Sequence, residues 1–379
     1  MSMIPYGRQT IEAEDLAAVA AALTSGWLTT GPRVEEFEAA FAKSLGAAHA
    51  VAVNSGTAAL HCAMRALNIG PGDEVIVPTI TFAATANSVA YQGGTPVFAD
   101  VEAETLLIDP ASIAARITPR TKAIAVVDYG GQPADYDAID ALARAHNLAV
   151  VADACHAPGG HYKGRPVGTL ANVSTFSFHP VKHLTTAEGG MCLTQDENLA
   201  KHMRRFRNHG IDSDHRQRAA KGTFAYDMTE LGFNYRLNDV QCALGIAQLP
   251  RLPAWVARRQ EIAALYDNAF AGIAHVRPLA VREGRSHAYH LYVVELDLEQ
   301  IGMTRAGAFD KLRAMGIGAN VHYAPVHLLS YYREKYGHQP GLCPVAERLS
   351  ERILTLPVFP LMRDDEVIRV VESVASLAR

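Results

Sequence analysis

From about residue 47 to residue 195 the chain alternates short apolar runs with stretches of helical periodicity, and few architectures accept that pattern. The runs are Ala48–Val53, Glu74–Val77, Pro96–Ala99, Lys122–Asp128, Ala149–Asp153, Val173–Phe178 and Gly190–Thr194. Strands separated by helices predict an α/β fold with a mostly parallel central sheet covered by helices on both faces. Upstream, Thr10 to Leu23 reads as a helix, with Glu12, Glu14 and Asp15 in its first turn and Ser25-Gly26 closing it. Past residue 250 the pattern changes. Pro250 and Pro253 break the chain, a helix runs to about Phe270, and His290–Leu296 reads as a strand. The division expected is residues 1–250, an N-terminal arm and large domain, and residues 251–379, a small C-terminal α/β domain.

Four segments carry chemistry. Ser177-Phe178-His179-Pro180-Val181-Lys182-His183-Leu184-Thr185-Thr186-Ala187-Glu188-Gly189-Gly190 ends a strand in a glycine-closed loop bearing one amine. Such a lysine attacks a carbonyl once enclosure favours its neutral form, although a lone lysine is more often an exposed loop residue. Asn54-Ser55-Gly56-Thr57-Ala58-Ala59-Leu60 joins a strand to a helix. The N–H groups of Gly56, Thr57 and Ala58 and the Thr57 hydroxyl are suited to a phosphate, and the same residues also make an ordinary helix cap. The segment is neither a nucleotide P-loop nor a dinucleotide GxGxxG motif. Leu148–Ala157 delivers Asp153 and then His156 at the carboxyl end of a strand, where open α/β sheets collect ligands. Pro78–Asn87 offers Phe82 as a flat surface just after another strand. A phosphate cradle, an amine for an aldehyde, an acid for a ring nitrogen and an aromatic to stack together describe pyridoxal 5'-phosphate.

With these motifs in one register, the chain resembles the fold-type I pyridoxal-phosphate enzymes, and among them the DegT/DnrJ/EryC1/StrS family of sugar aminotransferases. The resemblance runs from Ser25-Gly26-Trp27-Leu28-Thr29-Thr30-Gly31-Pro32 to Leu356-Pro357-Val358-Phe359-Pro360. It implies an aspartate-aminotransferase-like fold in which Lys182 holds the cofactor covalently, Asp153 partners its ring nitrogen and Phe82 stacks on its ring. His156 would touch the hydroxyl side, where many relatives carry Gln. Gly56, Thr57 and Ser177 would bind the phosphate. Leu231-Gly232-Phe233-Asn234-Tyr235-Arg236-Leu237-Asn238-Asp239 matches the segment that crosses the dimer interface, so Asn234 or Arg236 would reach a partner's phosphate in a homodimer with shared active sites. The catalytic set is then Lys182, Asp153 and His156.

The same resemblance implies transfer of an amino group from an amino acid, usually L-glutamate, to a keto sugar. The segments around Trp27, Asp128–Tyr136, Lys182 and Asn234 are most similar to the branch acting on UDP-linked 4-keto-6-deoxy-N-acetylhexosamines in pseudaminic acid biosynthesis. A UDP-4-keto-pentose is the alternative substrate, and a sugar dehydratase the alternative reaction. Dehydratase relatives replace the lysine that this chain retains. The sugar-nucleotide pocket is assigned to Trp27, Thr29, Thr30, His322, Tyr323 and His327. The densest basic run, Arg204 to Arg207 with Arg216 and Arg218, is either a solvated helix face or a diphosphate contact.

Composition narrows the remaining classes. With 379 residues, 49% hydrophobic and 20% charged, the chain can bury a large core. A net charge of −4 argues against a nucleic-acid binder. Five widely spaced cysteines without a CxxC pair, and no basic, apolar leader, predict a reduced, cytoplasmic protein. No run approaches the ~20 apolar residues that span a bilayer. His179, His183, His322 and His327 lack zinc-site spacing, so no metal is expected.

Overall fold

The computed structural model describes residues 3–378. Its centre is a seven-stranded sheet of β1 (His49–Val53), β2 (Glu74–Pro78), β3 (Thr95–Ala99), β4 (Thr121–Val127), β5 (Ala149–Asp153), β8 (Val173–Ser177) and β9 (Gly190–Thr194). Two-residue strand β6 (His161–Tyr162) pairs on one side with β7 (Arg165–Pro166) and on the other with β11 (Arg285–Ser286) in a separate small sheet. The strand order is β1-β9-β8-β5-β4-β2-β3. Only β9 runs against its neighbours; β2, β3, β4, β5 and β8 pair in parallel. Each predicted apolar run is thus a strand of this sheet, its ends shifted by no more than one residue.

Register sets what the sheet displays. Val127 of β4 pairs with Asp153, and Asp153 pairs with Thr175 of β8, so β4 and β5 end side by side and β8 runs two residues further to Ser177. The polar residues that terminate these strands therefore gather at one edge, as expected for ligand sites in parallel sheets.

A three-stranded antiparallel sheet of β10 (Val276–Pro278), β12 (Tyr292–Leu296) and β13 (Ile353–Leu356) forms the core of the smaller unit. The long helix Leu252–Phe270 serves both cores. Leu252, Trp255 and Val256 pack in the large one, and Ile262, Tyr266 and Phe270 in the small one. Traffic runs both ways, because Ile4 packs in the small core while Val326, Tyr332, Cys343 and Leu349 return to the large one. The expected strand from His290 begins only at Tyr292. Before it, Ala288 and Leu291 donate backbone hydrogen bonds to Gly131 and Gly130, which hold His287–Leu291 against the turn after β4 instead of in the sheet.

Among the described residues no helix is long and apolar enough to cross a membrane, and no group of three or more His, Cys, Asp or Glu is arranged to hold a metal ion.

Candidate active site

Lys182 lies in the loop between β8 and β9, which is clamped at both ends. Phe178 N–H donates to Gly189 O and Thr186 N–H returns to Phe178 O, while Lys182 N–H donates to His179 O at 2.9 Å. The glycine pair has a steric reason: a side chain at Gly189 would meet Thr186 Oγ1 at 2.2 Å, and one at Gly190 would meet Ser55 O at 2.3 Å. The half-buried Lys182 directs Nζ to within 3.3 Å of His290 Nε2. Burial lowers its pKa, with Cys155 and Asp153 opposing the shift, so a neutral amine comes within easier reach.

Asp153 closes β5 and is 7% exposed. Its Oδ2 accepts from Thr85 Oγ1 at 2.7 Å and its Oδ1 from Cys155 N–H at 3.3 Å. Thr85 in turn meets Thr81 Oγ1 at 2.7 Å, so the carboxylate is held by a small hydroxyl chain and cannot swivel freely. Thr85 is a supporting residue that the sequence reading missed. The only clue was its place one turn after Phe82.

At the expected phosphate cradle one donor differs from expectation. Ser55 caps the helix Gly56–Ala66, its Oγ accepting from Ala58 N–H at 3.0 Å, so that N–H is already taken. The N–H groups of Gly56 and Thr57 meet no acceptor among the described residues. Gly56 fits only because it lacks a Cβ, which would sit 2.9 Å from Ser177 Cβ and 3.5 Å from Cys155 Sγ. The Ser55 cap thus takes one of the helix's first N–H groups and leaves those of Gly56 and Thr57 available to a ligand.

On the opposite side, His156 Nε2 meets Tyr323 Oη at 3.2 Å, and the two rings stack with centroids 6.1 Å apart. Burial, then the charge of Lys182, pushes the His156 pKa well below the usual imidazole value. Its Nδ1 is buried without a partner among the described residues, as expected of a ring waiting for a ligand. Phe82 is 60% exposed at the site's mouth, 6.1 Å from the Tyr323 ring. N–H groups without an acceptor, an acid fixed at the sheet edge, an unpartnered imidazole and an uncovered aromatic fit pyridoxal phosphate.

Other expected residues lie elsewhere. His327 is fully buried, with Nδ1 2.6 Å from Thr79 Oγ1 and Nε2 3.0 Å from Glu347 Oε1. Both ring nitrogens are engaged, so it ties strand β2 to the C-terminal segment and is not open to a sugar nucleotide. His322 is anchored through Nδ1 to Thr355 Oγ1 at 2.8 Å, and its carbonyl accepts from Tyr129 Oη. Trp27 is 41% exposed and packs 5.6 Å from the His215 ring, and Thr29 is exposed beside it.

Thr30 and Arg236 line a separate cleft of about 540 Å³ together with Arg204, Arg205, Arg207 and Arg216. Several of these arginines are committed: Arg205 to Glu230, Arg207 to Glu38 and Arg216 to Glu35. Arg236 donates to Asn208 Oδ1 at 2.8 Å, and burial beside Arg207 lowers its pKa. Asn234 is exposed, its carbonyl accepting from Asn54 Nδ2 at 3.4 Å.

The chain is similar to known aminotransferases. Residues 9–375 match the DegT/DnrJ/EryC1/StrS aminotransferase family. The spore coat polysaccharide biosynthesis protein SpsC of Bacillus subtilis is 43% identical over 99% of this chain and 97% of its own. Helicobacter pylori PseC, an aminotransferase involved in the biosynthesis of pseudoaminic acid, superposes with a TM-score of 0.93 at 33% identity, covering 99% of each chain. The PLP-form of the putative sugar aminotransferase Spr1654 of Streptococcus pneumoniae gives a TM-score of 0.91 at 32% identity, over 99% of this chain and 98% of that one. The chain therefore belongs to the DegT/DnrJ/EryC1/StrS family of pyridoxal-phosphate-dependent sugar aminotransferases.

Proposed function

We propose that this aminotransferase moves an amino group from L-glutamate to C4 of a UDP-linked 4-keto-6-deoxy-N-acetylhexosamine, on a route to a pseudaminic-acid-type sugar. The observation that carries the transfer chemistry is the convergence at one sheet edge of Lys182, Asp153 and the Gly56 helix terminus. When bound, the cofactor supplies the carbonyl that accepts nitrogen and the electron sink for the substrate's carbanion. The chain supplies the rest. Gly56, Thr57 and Ser177 would hold the phosphate, Phe82 would stack on the ring, and His156 would touch its hydroxyl side. Asp153 would hold a proton on the ring nitrogen, and Lys182 Nζ would take a proton from the amino-acid carbon and deliver it to the carbon that carried the cofactor's carbonyl.

The likeness to PseC supports the N-acetylhexosamine as acceptor. The higher identity to SpsC favours a second reading, a keto sugar destined for another surface polysaccharide. A UDP-4-keto-pentose lacks the hexose's methyl and N-acetyl groups. A methylene-sized contact is worth about 1–3 kcal/mol, so kcat/KM on the two sugars should differ by tens-fold or more. Preference for the keto-pentose would overturn the pseudaminic reading, and formation of a dehydrated sugar would overturn amino transfer.

The active sites in this proposal are shared between two copies, with Lys182, Asp153 and His156 from one and Asn234 or Arg236 from the other. Support comes from the segment preceding Asn234, where Phe224, Tyr226, Met228 and Leu231 are 93%, 61%, 58% and 77% exposed. So much uncovered apolar surface on one segment suits a protein interface. Mixing Lys182→Ala chains with Asn234→Ala chains should restore activity through hybrid dimers that hold one intact site. No recovery in proven heterodimers would count against sharing.

A further inference from the structure

His290 has no part in the chemistry described so far, yet it is the nearest polar partner of the reactive amine. Its Nε2 lies 3.3 Å from Lys182 Nζ, and among the described residues no carboxylate is within ion-pair distance of that nitrogen. The imidazole is 5% exposed and braced on several sides. The His156 ring lies 4.5 Å away, the His183 ring 5.8 Å away, and the flanking Ala288 and Leu291 are tied by backbone hydrogen bonds to Gly131 and Gly130. His183 Nε2 donates to Ala288 O at 2.8 Å, fixing the same segment from the lysine's own loop.

An ammonium can only donate, so Nε2 must present a lone pair when Lys182 is charged, and the ring must then be neutral with its proton on Nδ1. Burial, with the charge of Lys182 next, pushes the His290 pKa well below the usual imidazole value and keeps the ring in that state. We propose that His290 is a positioning residue for amino transfer, its Nε2 accepting a hydrogen bond from protonated Lys182 between the amine's taking a proton from one carbon and delivering it to another. The proton stays on Nζ throughout, the hydrogen bond to the ring keeps the ammonium from being stranded in a low-dielectric site, and nothing is consumed. The other groups facing Nζ are Asp153 and Cys155 from the β5 end, His156 from the turn that follows, His183 from its own loop and His322 from the segment before Tyr323.

The test uses the cofactor-free full-length protein, where turnover cannot confuse the result. Competitive acetylation across a pH series, read by mass spectrometry on the Lys182 peptide, reports the titration of that amine. Hydrogen bonds to charged groups are among the stronger ones, so His290→Phe should lower the midpoint by about 1 pH unit or more. His290→Gln restores an acceptor oxygen and should bring the midpoint back towards wild type. Should the Phe chain fail to fold by circular dichroism, His290→Asn, whose shorter arm withdraws the acceptor, should show the same downward shift. In the loaded enzyme, His290→Phe should lower kcat about 10-fold with little change in KM for L-glutamate. A Phe or Asn variant whose Lys182 titrates at or above the wild-type pH would overturn the proposal.

Discussion

Replacing Asp153 by Asn keeps the shape of the side chain and removes its charge. Both carboxylate oxygens are hydrogen-bonded, at 2.7 Å from Thr85 and 3.3 Å from Cys155, and the residue is 7% exposed. Thr85 can reverse its hydroxyl to accept from an amide and donate to Thr81, so the local structure survives, at a cost of about 1 kcal/mol in stability. Loss of the charge acts on the cofactor's ring nitrogen. A carboxylate and a protonated ring nitrogen ~4 Å apart, at an effective dielectric of ~20, attract by about 4 kcal/mol, or roughly three pK units. The half-reaction with L-glutamate should therefore slow by up to about three decades. Stopped-flow absorbance at saturating cofactor measures that rate directly, and thermal melts check the fold. A near-normal rate with the cofactor bound would show that Asp153 only caps the end of β5.

The cradle and the lysine are each open to a simpler test. Gly56→Ala places a methyl 2.9 Å from Ser177 Cβ, so cofactor affinity, measured by equilibrium dialysis, should fall about 10-fold or more. Unchanged affinity in Gly56→Ala would remove Gly56 from the phosphate site. Borohydride reduction of the loaded protein should leave the pyridoxyl group on Lys182. Lys122 is tied to Asn68 O and Asp73, and Lys163 to Asp137, so label on either would refute the assignment. Burial, reinforced by Arg65 at His61 and Lys182 at His322, lowers both pKa values to about 4, and burial takes His287 to about 3. Below pH 6.5 the unfolded chain binds protons that the folded chain refuses, so stability falls as pH drops from about 6.5 towards 4. Each ring contributes at most about 1.4 kcal/mol per pH unit, and urea midpoints that stay level from pH 7 to pH 5 would contradict it.

The central sheet was legible because each of its strands is buried and apolar, and the residues that close β5 and β8 carry the polarity of the edge. Asp153, Ser177 and Lys182 could be read from their place after such runs. What stayed hidden depends on partners far away in sequence. His327 shares a short run with Tyr323, but the turn Val326–Leu328 carries it inward to Thr79 and Glu347, and no local pattern encodes that. From sequence His290 opens a strand, whereas the turn after β4 captures its neighbours and its ring meets Lys182. From sequence Ala58 reads as a free donor, because the Ser55 cap and a phosphate cradle draw on the same N–H groups. Thr30 and Arg236 lie more than 200 positions apart, and only the fold brings them to one cleft.

Transfer of labelled nitrogen tests the central claim most directly. The purified enzyme, loaded with cofactor, is incubated with ¹⁵N-L-glutamate and a UDP-4-keto-6-deoxy-N-acetylhexosamine, and the sugar product is read by mass spectrometry. The account predicts a 4-amino sugar that carries ¹⁵N, and none from a Lys182→Ala chain. Recovery of the keto sugar unaminated, while a UDP-4-keto-pentose in the same preparation gains the label, would contradict it.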